Sequence, residues 1–128
     1  MELNAKKYFT PAEANRTLPL VKRIVADILN LSHELRSLSV VLGAEAEGHP
    51  QLENIATQIR NHFAELEELG CYYKDWNFSI GLVDFPAVID GKEVFLCWRS
   101  DEDSVEYYHE IETGYAGRKR IPEQHLSD

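Results

Sequence analysis

The spacing of apolar residues changes at Gly70, and this change constrains the fold more than any other feature of the chain. Before it, apolar side chains recur three and four residues apart, which is the period of a helix. After it they alternate every two residues, which is the period of a strand. Consecutive helices followed by consecutive strands predict an α+β fold, in which a long antiparallel helical hairpin packs on a small three- to four-stranded antiparallel sheet.

The first helix has a clear start and an interruption. Thr10 and Glu13 have the spacing of a capping box, which satisfies free amides at a helix N-terminus. Pro19 lacks the amide that a continuing helix would use. We therefore expect a short helix over 11–17 that stops or kinks, followed by a long helix from about 19 to 42.

The second helix contains one unexpected polar residue. Its apolar seam ends at Gly70, and His62 stands in that seam where a leucine is expected, beside Phe63. A hydrogen-bonded or partly exposed histidine near the hairpin edge is the ordinary interpretation. The alternative is a ligand or proton-transfer group that points at whatever covers the helices.

The turn at Asp90-Gly91 predicts a two-residue β-hairpin, in which paired residue numbers sum to 181. Pro86 has no amide to donate, so we expect strand 80–89 to be an edge and strand 93–99 to be central. One face then carries six apolar side chains that should pack on the helices: Val83, Phe85, Ala87, Val94, Leu96 and Trp98.

A third strand begins after a loop whose geometry is less defined. A four-residue loop over 100–103 would pair Trp98 with Val105. In that register His109 points inward, toward the helices, and the neighbouring glutamates point outward.

The chain is long enough for one domain, 1–128. We predict a helical half over 10–70, an antiparallel sheet over 71–112 and a C-terminal tail over 113–128. Residues 71–74 are a candidate fourth strand.

Several motifs together resemble a family known as domain of unknown function 2203. The residues that carry the resemblance are Phe9-Thr10, Glu13-Ala14-Asn15, Leu18-Pro19, Gly81 to Pro86, Leu96 to Arg99, His109-Glu110 and Gly114 to Arg118. The resemblance covers nearly the whole chain and implies a small bacterial protein. It implies no particular activity.

Polar residues in the stranded half are the candidate site. Asp84, Cys97 and Glu106 should share a row on the outward face, with Arg99 diagonal to Asp84. Such a row would hold a polar ligand or a hard metal ion, or it is an ion pair on a solvated face. Carboxylates beside Cys97 should raise its pKa, which argues against a nucleophilic thiol. The full set of candidate ligand-binding residues is Asp84, Arg99, His109, Glu110 and Arg118.

Metal chemistry is the alternative at the histidines. His62 and His109 would both enter the layer between hairpin and sheet, where they would suit zinc or iron together with Glu110. However, His109 and Glu110 are adjacent on a strand and point in opposite directions. A buried His109 that is hydrogen-bonded to tyrosine or backbone is favoured. We therefore predict no cofactor, with a divalent metal as the alternative.

The basic run 118–120 follows Gly114 and Gly117. It is either a solvated tail or an anion grip in which Arg118 forks onto a carboxylate or phosphate. The sequence has no Walker loop, dinucleotide fingerprint, Cys-x-x-Cys, His-Glu-x-x-His or Ser-x-Gly elbow.

Charge and composition limit the partners. Acidic residues outnumber basic ones 22 to 13, giving a formal charge of −9, so neither nucleic acid nor an anionic membrane is an expected partner. We expect a cytoplasmic protein, because no signal peptide is evident and Cys71 and Cys97 form no disulfide framework.

The favoured function is a non-catalytic protein-interaction or regulatory module. Its apolar outward side chains, Pro86, Phe95 and Tyr108, predict a cover, either the chain from Tyr115 onward or a second subunit. We expect a homodimer, with another protein as a possible partner. The alternative is a ligand- or metal-binding protein, possibly an enzyme, that uses the polar cluster.

Overall fold

A computed structural model describes residues 7–74 and 80–128 and shows an α+β architecture. The start of the chain, where we predicted no signal peptide, lies largely outside these residues. Two helices precede five antiparallel strands in the order β1-β2-β3-β4-β5. The elements are α1 (Pro11–Leu42), α2 (Pro50–Leu69), β1 (Tyr72–Tyr73), β2 (Leu82–Ile89), β3 (Lys92–Arg99), β4 (Tyr107–Glu110) and β5 (Lys119–Arg120). The α+β class is confirmed, but the sheet has five strands rather than three or four.

Helix α1 is one continuous helix of 32 residues, so the prediction that it stops before Pro19 is wrong. The capping box is present: Thr10 Oγ1 accepts from the Glu13 amide, and the Glu13 carboxylate accepts from the Thr10 amide. Leu18 and Val21, on either side of Pro19, are buried in the same core. Packing on both sides of the proline outweighs its missing hydrogen bond, which costs about 3 kcal/mol.

Helix α2 packs against α1 and ends as predicted. The imidazole of His49 caps its first turn by accepting from the Gln51 amide. Gly70 ends the helix with a left-handed φ of 99°, a conformation that favours glycine.

The β2–β3 hairpin has the predicted register, from Leu82 opposite Arg99 to Ile89 opposite Lys92. Asp90 and Gly91 form the turn with φ values of 52° and 78°. The turn therefore has positive φ at both central positions, as this type of hairpin requires.

Strand β3 is central, as predicted, but the prediction that β2 is an edge strand is wrong. The short β1 pairs with β2, with Tyr72 opposite Asp84. Farther along the same side of β2, the Phe9 amide donates to the Pro86 carbonyl at 2.7 Å. Pro86 therefore only has to accept a hydrogen bond there, so its missing amide costs the sheet nothing.

The register of β4 differs by one residue from the prediction. Phe95 lies opposite His109, and Cys97 lies opposite Tyr107. The physical cause is Asn15 on α1, whose side-chain amide bonds both the amide and the carbonyl of Val105. Val105 is thus removed from the ladder in which it was expected to face Trp98.

This shift exchanges the two faces of β4, because neighbouring residues of a strand point in opposite directions. His109 and Tyr107 move to the face turned away from the helices. Tyr108 moves inward and packs against the core. Glu106 leaves the predicted row and instead pairs with Arg120 at 2.8 Å.

One core connects the helices with the near face of the sheet. We call this near face the inner face; it consists of Val83, Phe85, Ala87, Val94, Leu96 and Trp98, all of which are buried. The opposite face, with Asp84, Pro86, Phe95, Cys97 and His109, is the outer face. Ile121, which follows β5, is also buried, so the core includes residues beyond the predicted sheet.

Neither helix in the described part of the chain combines the length and apolar character that crossing a membrane requires.

Candidate functional site

Three neighbouring strands each place one polar side chain at the same point of the outer face. Asp84 lies on β2, Cys97 lies opposite it on β3, and His109 lies on β4 next to that row. Their exposed fractions are 5%, 1% and 3%. One potential ligand atom from each residue lies within 4.8 Å of the other two. A carboxylate, a thiol and an imidazole therefore converge in a buried site.

The hydrogen bonds of His109 define the chemistry of this site. Its Nδ1 lies 2.8 Å from the Glu110 carbonyl oxygen, and a carbonyl only accepts, so Nδ1 carries the hydrogen. In the neutral ring Nε2 then has a lone pair, and it faces both oxygens of Asp84 at 3.1 Å. Two acceptors at this distance need a cation between them, either a proton or a metal ion.

The first possibility, a proton between the two groups, agrees with the direction in which the pKa of His109 is shifted. The hydrogen bond that His109 donates to Asp84 raises the pKa of His109, while burial opposes that change. A protonated His109 beside an ionised Asp84 is a buried ion pair, and such a pair gains little net stability because both groups lose their hydration.

Cys97 is a protonated thiol in this environment. Burial and the negative charge of Asp84 raise its pKa to about 12, although the Arg118 guanidinium partly offsets them. Because His109 directs its nitrogens at Asp84 and Glu110, it is not the base that activates the thiol. The arrangement differs from a cysteine–histidine nucleophile, in which the imidazole accepts the thiol proton. A bound metal ion would deprotonate Cys97 outright.

The three side chains form one side of a pocket of about 190 Å³. Leu82, Phe95 and Ile111 supply apolar walls, and Lys74 and Tyr115 supply polar groups. Polar groups that converge at an apolar pocket are typical of small-ligand sites.

Arg118 lies beside the site and bonds the backbone of Cys97. Its guanidinium makes two hydrogen bonds of 2.7 Å with the Glu102 carboxylate and donates to the Cys97 carbonyl at 3.0 Å. It also lies 4.1 Å from the centre of the Tyr107 ring. The carboxylate on which Arg118 forks is therefore the chain's own, and its charge is already paired.

The other members of the predicted ligand set have other partners. Arg99 lies opposite Leu82 and therefore diagonal to Asp84, as predicted, but its guanidinium bonds Asp101 and the Tyr115 hydroxyl, each at 2.6 Å. Glu110 pairs with Lys92 at 3.3 Å and lies near Lys119 at 3.8 Å. Of the five predicted residues, the structure thus brings together only Asp84 and His109, with Arg118 behind Cys97.

The two histidines named as metal candidates lie on different parts of the molecule. His62 is half-buried, contacts Glu65 and lines a groove between the helices. His109 lies on the outer face of the sheet, beyond the layer where the two were expected to meet. The hydrogen bond from His109 to backbone agrees with the interpretation favoured from the sequence.

Sequence reasoning missed Lys74 as a pocket residue, and it named Tyr115 only as the start of a segment that could cover the outer face, which Tyr115 does contact. Lys74 follows β1, and its amide donates to the Leu82 carbonyl at 2.8 Å, which holds it beside the pocket. Tyr115 lies in a short 3-10 turn over Gly114–Gly117. The signal that could have placed Lys74 at the pocket is the pairing of 71–74 with β2. However, β1 has only two residues, and the side chains of so short a strand show no alternation from which a register could be predicted.

The family comparison agrees with the resemblance drawn from the motifs. The family model of an uncharacterized conserved protein, DUF2203, matches residues 7–121. The chain belongs to this family. The matched range includes every residue of the converging site. No curated protein and no solved structure matches the chain. Membership in DUF2203 carries no described activity, so a function has to be argued from the site.

Proposed function

We propose that this DUF2203 protein binds a divalent metal ion of the zinc type through Asp84, Cys97 and His109. The observation that carries the proposal is the convergence of three buried donor atoms, one from each residue, within 4.8 Å of one another. Carboxylate oxygen, thiolate sulfur and imidazole nitrogen are all donors that Zn²⁺ accepts in tetrahedral sites.

The surroundings of the donors favour a metal over a proton. The Nδ1 hydrogen bond to the Glu110 carbonyl directs the Nε2 lone pair of His109 toward Asp84. The same outer hydrogen bond orients the imidazole in known metal sites. A proton would satisfy the imidazole and Asp84 but would leave Cys97 without a role. Three protein ligands beside a pocket would leave a fourth metal position open, as in catalytic rather than structural zinc sites.

Cobalt titration tests the proposal, because Co²⁺ replaces Zn²⁺ and its thiolate complexes absorb light. We expect one Co²⁺ per chain with a sulfur-to-cobalt charge-transfer band. Cys97→Ser should abolish this band. Asp84→Asn and His109→Gln should weaken binding by more than the roughly 10- to 100-fold that loss of an outer-shell partner costs.

Cys71 provides a matched control. It is the second buried cysteine in the described part of the chain, its pKa is also raised to about 12, mainly by burial, and its thiol bonds the Leu66 carbonyl instead. Cys71→Ser should therefore keep the band. A folded wild-type protein without a cobalt–thiolate band contradicts the proposal, and so does a band that depends on Cys71. Circular dichroism of each variant separates lost binding from lost folding.

The proposed metal site also favours one type of cellular compartment. Cys97 has to remain a free thiol to bind a metal, so we propose that the protein works in a reducing compartment such as the cytoplasm.

A second candidate is self-association through the helices. We infer that α1 and α2 form an antiparallel hairpin, because Leu20 and Leu69 line one groove while Leu31 and Gln58 line the next. Val40 and Val41, near the end of α1, are 78% and 80% exposed. Native mass spectrometry tests this candidate: we expect a dimer that the double substitution of both valines by glutamate dissociates, whereas a wild-type monomer rules it out.

A further inference from the structure

The outer-face pocket contains more than the three donors, and its remaining groups indicate what would occupy the open metal position. We propose that the pocket binds a small monocarboxylate, whose carboxylate lies between the metal and Lys74 and whose short apolar tail contacts the pocket wall. This inference rests on the proposed function, because it requires the metal.

The charge of the site favours an anion of low charge. Asp84 and a metal-bound Cys97 thiolate supply two negative charges, which balance one divalent cation, while His109 binds as a neutral ligand. The positive charge of Arg118 is already paired with Glu102. A loaded site is therefore electrically neutral, and any additional charge at the pocket decides which ligand it attracts.

Lys74 supplies that additional charge. It lines the pocket, and its Nζ lies 6.0 Å from the centre of the Phe95 ring. Within the ranges 7–74 and 80–128, no carboxylate lies within ion-pair distance of this ammonium group. One positive charge beside a neutral metal centre matches one negative charge on a ligand.

Tyr115 adds a donor at the same pocket. Its hydroxyl oxygen accepts a hydrogen bond from Arg99 Nη1 at 2.6 Å, which leaves the hydroxyl hydrogen as a donor. A carboxylate oxygen is a suitable acceptor for it, whereas an ammonium group is not.

The walls select for an apolar body of limited size. Leu82, Phe95 and Ile111 line the pocket, and its volume is about 190 Å³. An unbranched chain of a few carbons would contact these apolar side chains. A multiply charged ion such as phosphate would instead leave them exposed to water.

Butanoate is the probe for this inference. Added to the Co²⁺-loaded protein, it should change the ligand-field spectrum of the metal with saturation at one equivalent per site. Butylammonium and inorganic phosphate should not compete with it. Lys74→Gln should weaken butanoate binding by about two- to fivefold, the range expected for an exposed charged group. Lys74→Arg should restore it, and both variants should still bind Co²⁺ with the thiolate band.

Lys92→Gln is the matched control, because it removes the same charge from an exposed lysine outside the pocket. Equal weakening by Lys92→Gln would show a general charge effect and overturn the inference. So would a spectrum that butanoate leaves unchanged, or one that phosphate or butylammonium changes as strongly. Those results leave the metal proposal standing as long as Co²⁺ binds with its thiolate band. Failure of Co²⁺ to bind overturns the proposed function itself.

Discussion

The inner face of the sheet and the centre of its outer face are buried to a similar degree but differ in chemistry. On the inner face, Phe85 and Leu96 are fully buried among apolar neighbours of the helices. On the outer face, Asp84 and His109 are polar and almost as buried, and the Cys97 thiol is buried with them. Apolar burial is favourable in itself, whereas polar burial is costly unless each group has a partner. Similar burial therefore stabilises the protein on the inner face, whereas at the centre of the outer face it has a cost that the proposed metal ion would offset.

The largest expected effect belongs to the inner face. Phe85→Ala should lower the free energy of unfolding by about 3–5 kcal/mol, because it opens a cavity and removes the edge-to-face contact with Phe9, whose ring centre lies 5.1 Å away. Urea denaturation measures the loss. Val88→Ala on the same strand is the control, since Val88 is 51% exposed and should change stability little. A loss below about 1 kcal/mol for Phe85→Ala would show that the inner face is not the main source of stability.

The outer face should gain stability from zinc. Free Zn²⁺ at about 100 times its dissociation constant should stabilise the folded protein by about 2.7 kcal/mol, because the three ligands come together only on folding. Thermal denaturation with and without zinc measures this gain. Asp84→Asn should remove it, while the zinc-free variant remains folded. Equal stabilisation of wild type and variant would place the zinc elsewhere on the molecule.

The ion pair behind the outer face should have a smaller effect. Glu102→Gln should cost about 2 kcal/mol, because the partly buried Arg118 guanidinium loses its charged partner. Glu106→Gln is the comparison, since the pair of Glu106 with Arg120 is mostly exposed and should contribute about 0.5 kcal/mol or less. Urea denaturation of both variants distinguishes the two pairs, and equal losses would contradict the difference in burial.

The smallest effect concerns His125, whose exposed contacts contrast with the buried contact of His109. Hydrogen bonding to Asp128 and the charge of Asp90 raise the pKa of His125 above its ordinary value of 6.5. Its stabilisation is therefore complete below pH 6.5 and is lost as the pH rises through the raised pKa. Between about pH 6 and pH 8, zinc-free wild type should lose slightly more stability than His125→Gln. Identical pH profiles of the melting temperature would show that these contacts contribute nothing.

The accuracy of the sequence predictions followed the strength of each local signal. The Asp90-Gly91 turn fixes the β2–β3 register because a two-residue turn allows only one set of pairs. The connection to β4 has no such turn, and its register depends on Asn15, which is 90 residues from Val105 in the chain. Core packing also explains why α1 continues through Pro19, since Leu18 and Val21 on either side of it are buried.

The candidate site was predicted in part for the same reason. Asp84 and Cys97 were placed together because their strands are joined by the two-residue turn. His109 was placed on the wrong face, since an error of one residue in β4 moves every side chain to the opposite side. Local sequence pattern therefore placed Asp84 and Cys97 correctly, although the candidate ligand set omitted Cys97. It also named His109, but the face of His109 depends on the contact between α1 and the β3–β4 loop.

A zinc-edge X-ray absorption spectrum of the loaded protein tests the central claim most directly, because it reports the atoms bound to the metal. The proposed site predicts one sulfur at about 2.3 Å together with nitrogen and oxygen ligands at about 2.0–2.2 Å. Replacing Cys97 by serine should remove the sulfur shell. A shell of nitrogen and oxygen alone in the wild-type protein would contradict the assignment of Asp84, Cys97 and His109 as the metal site.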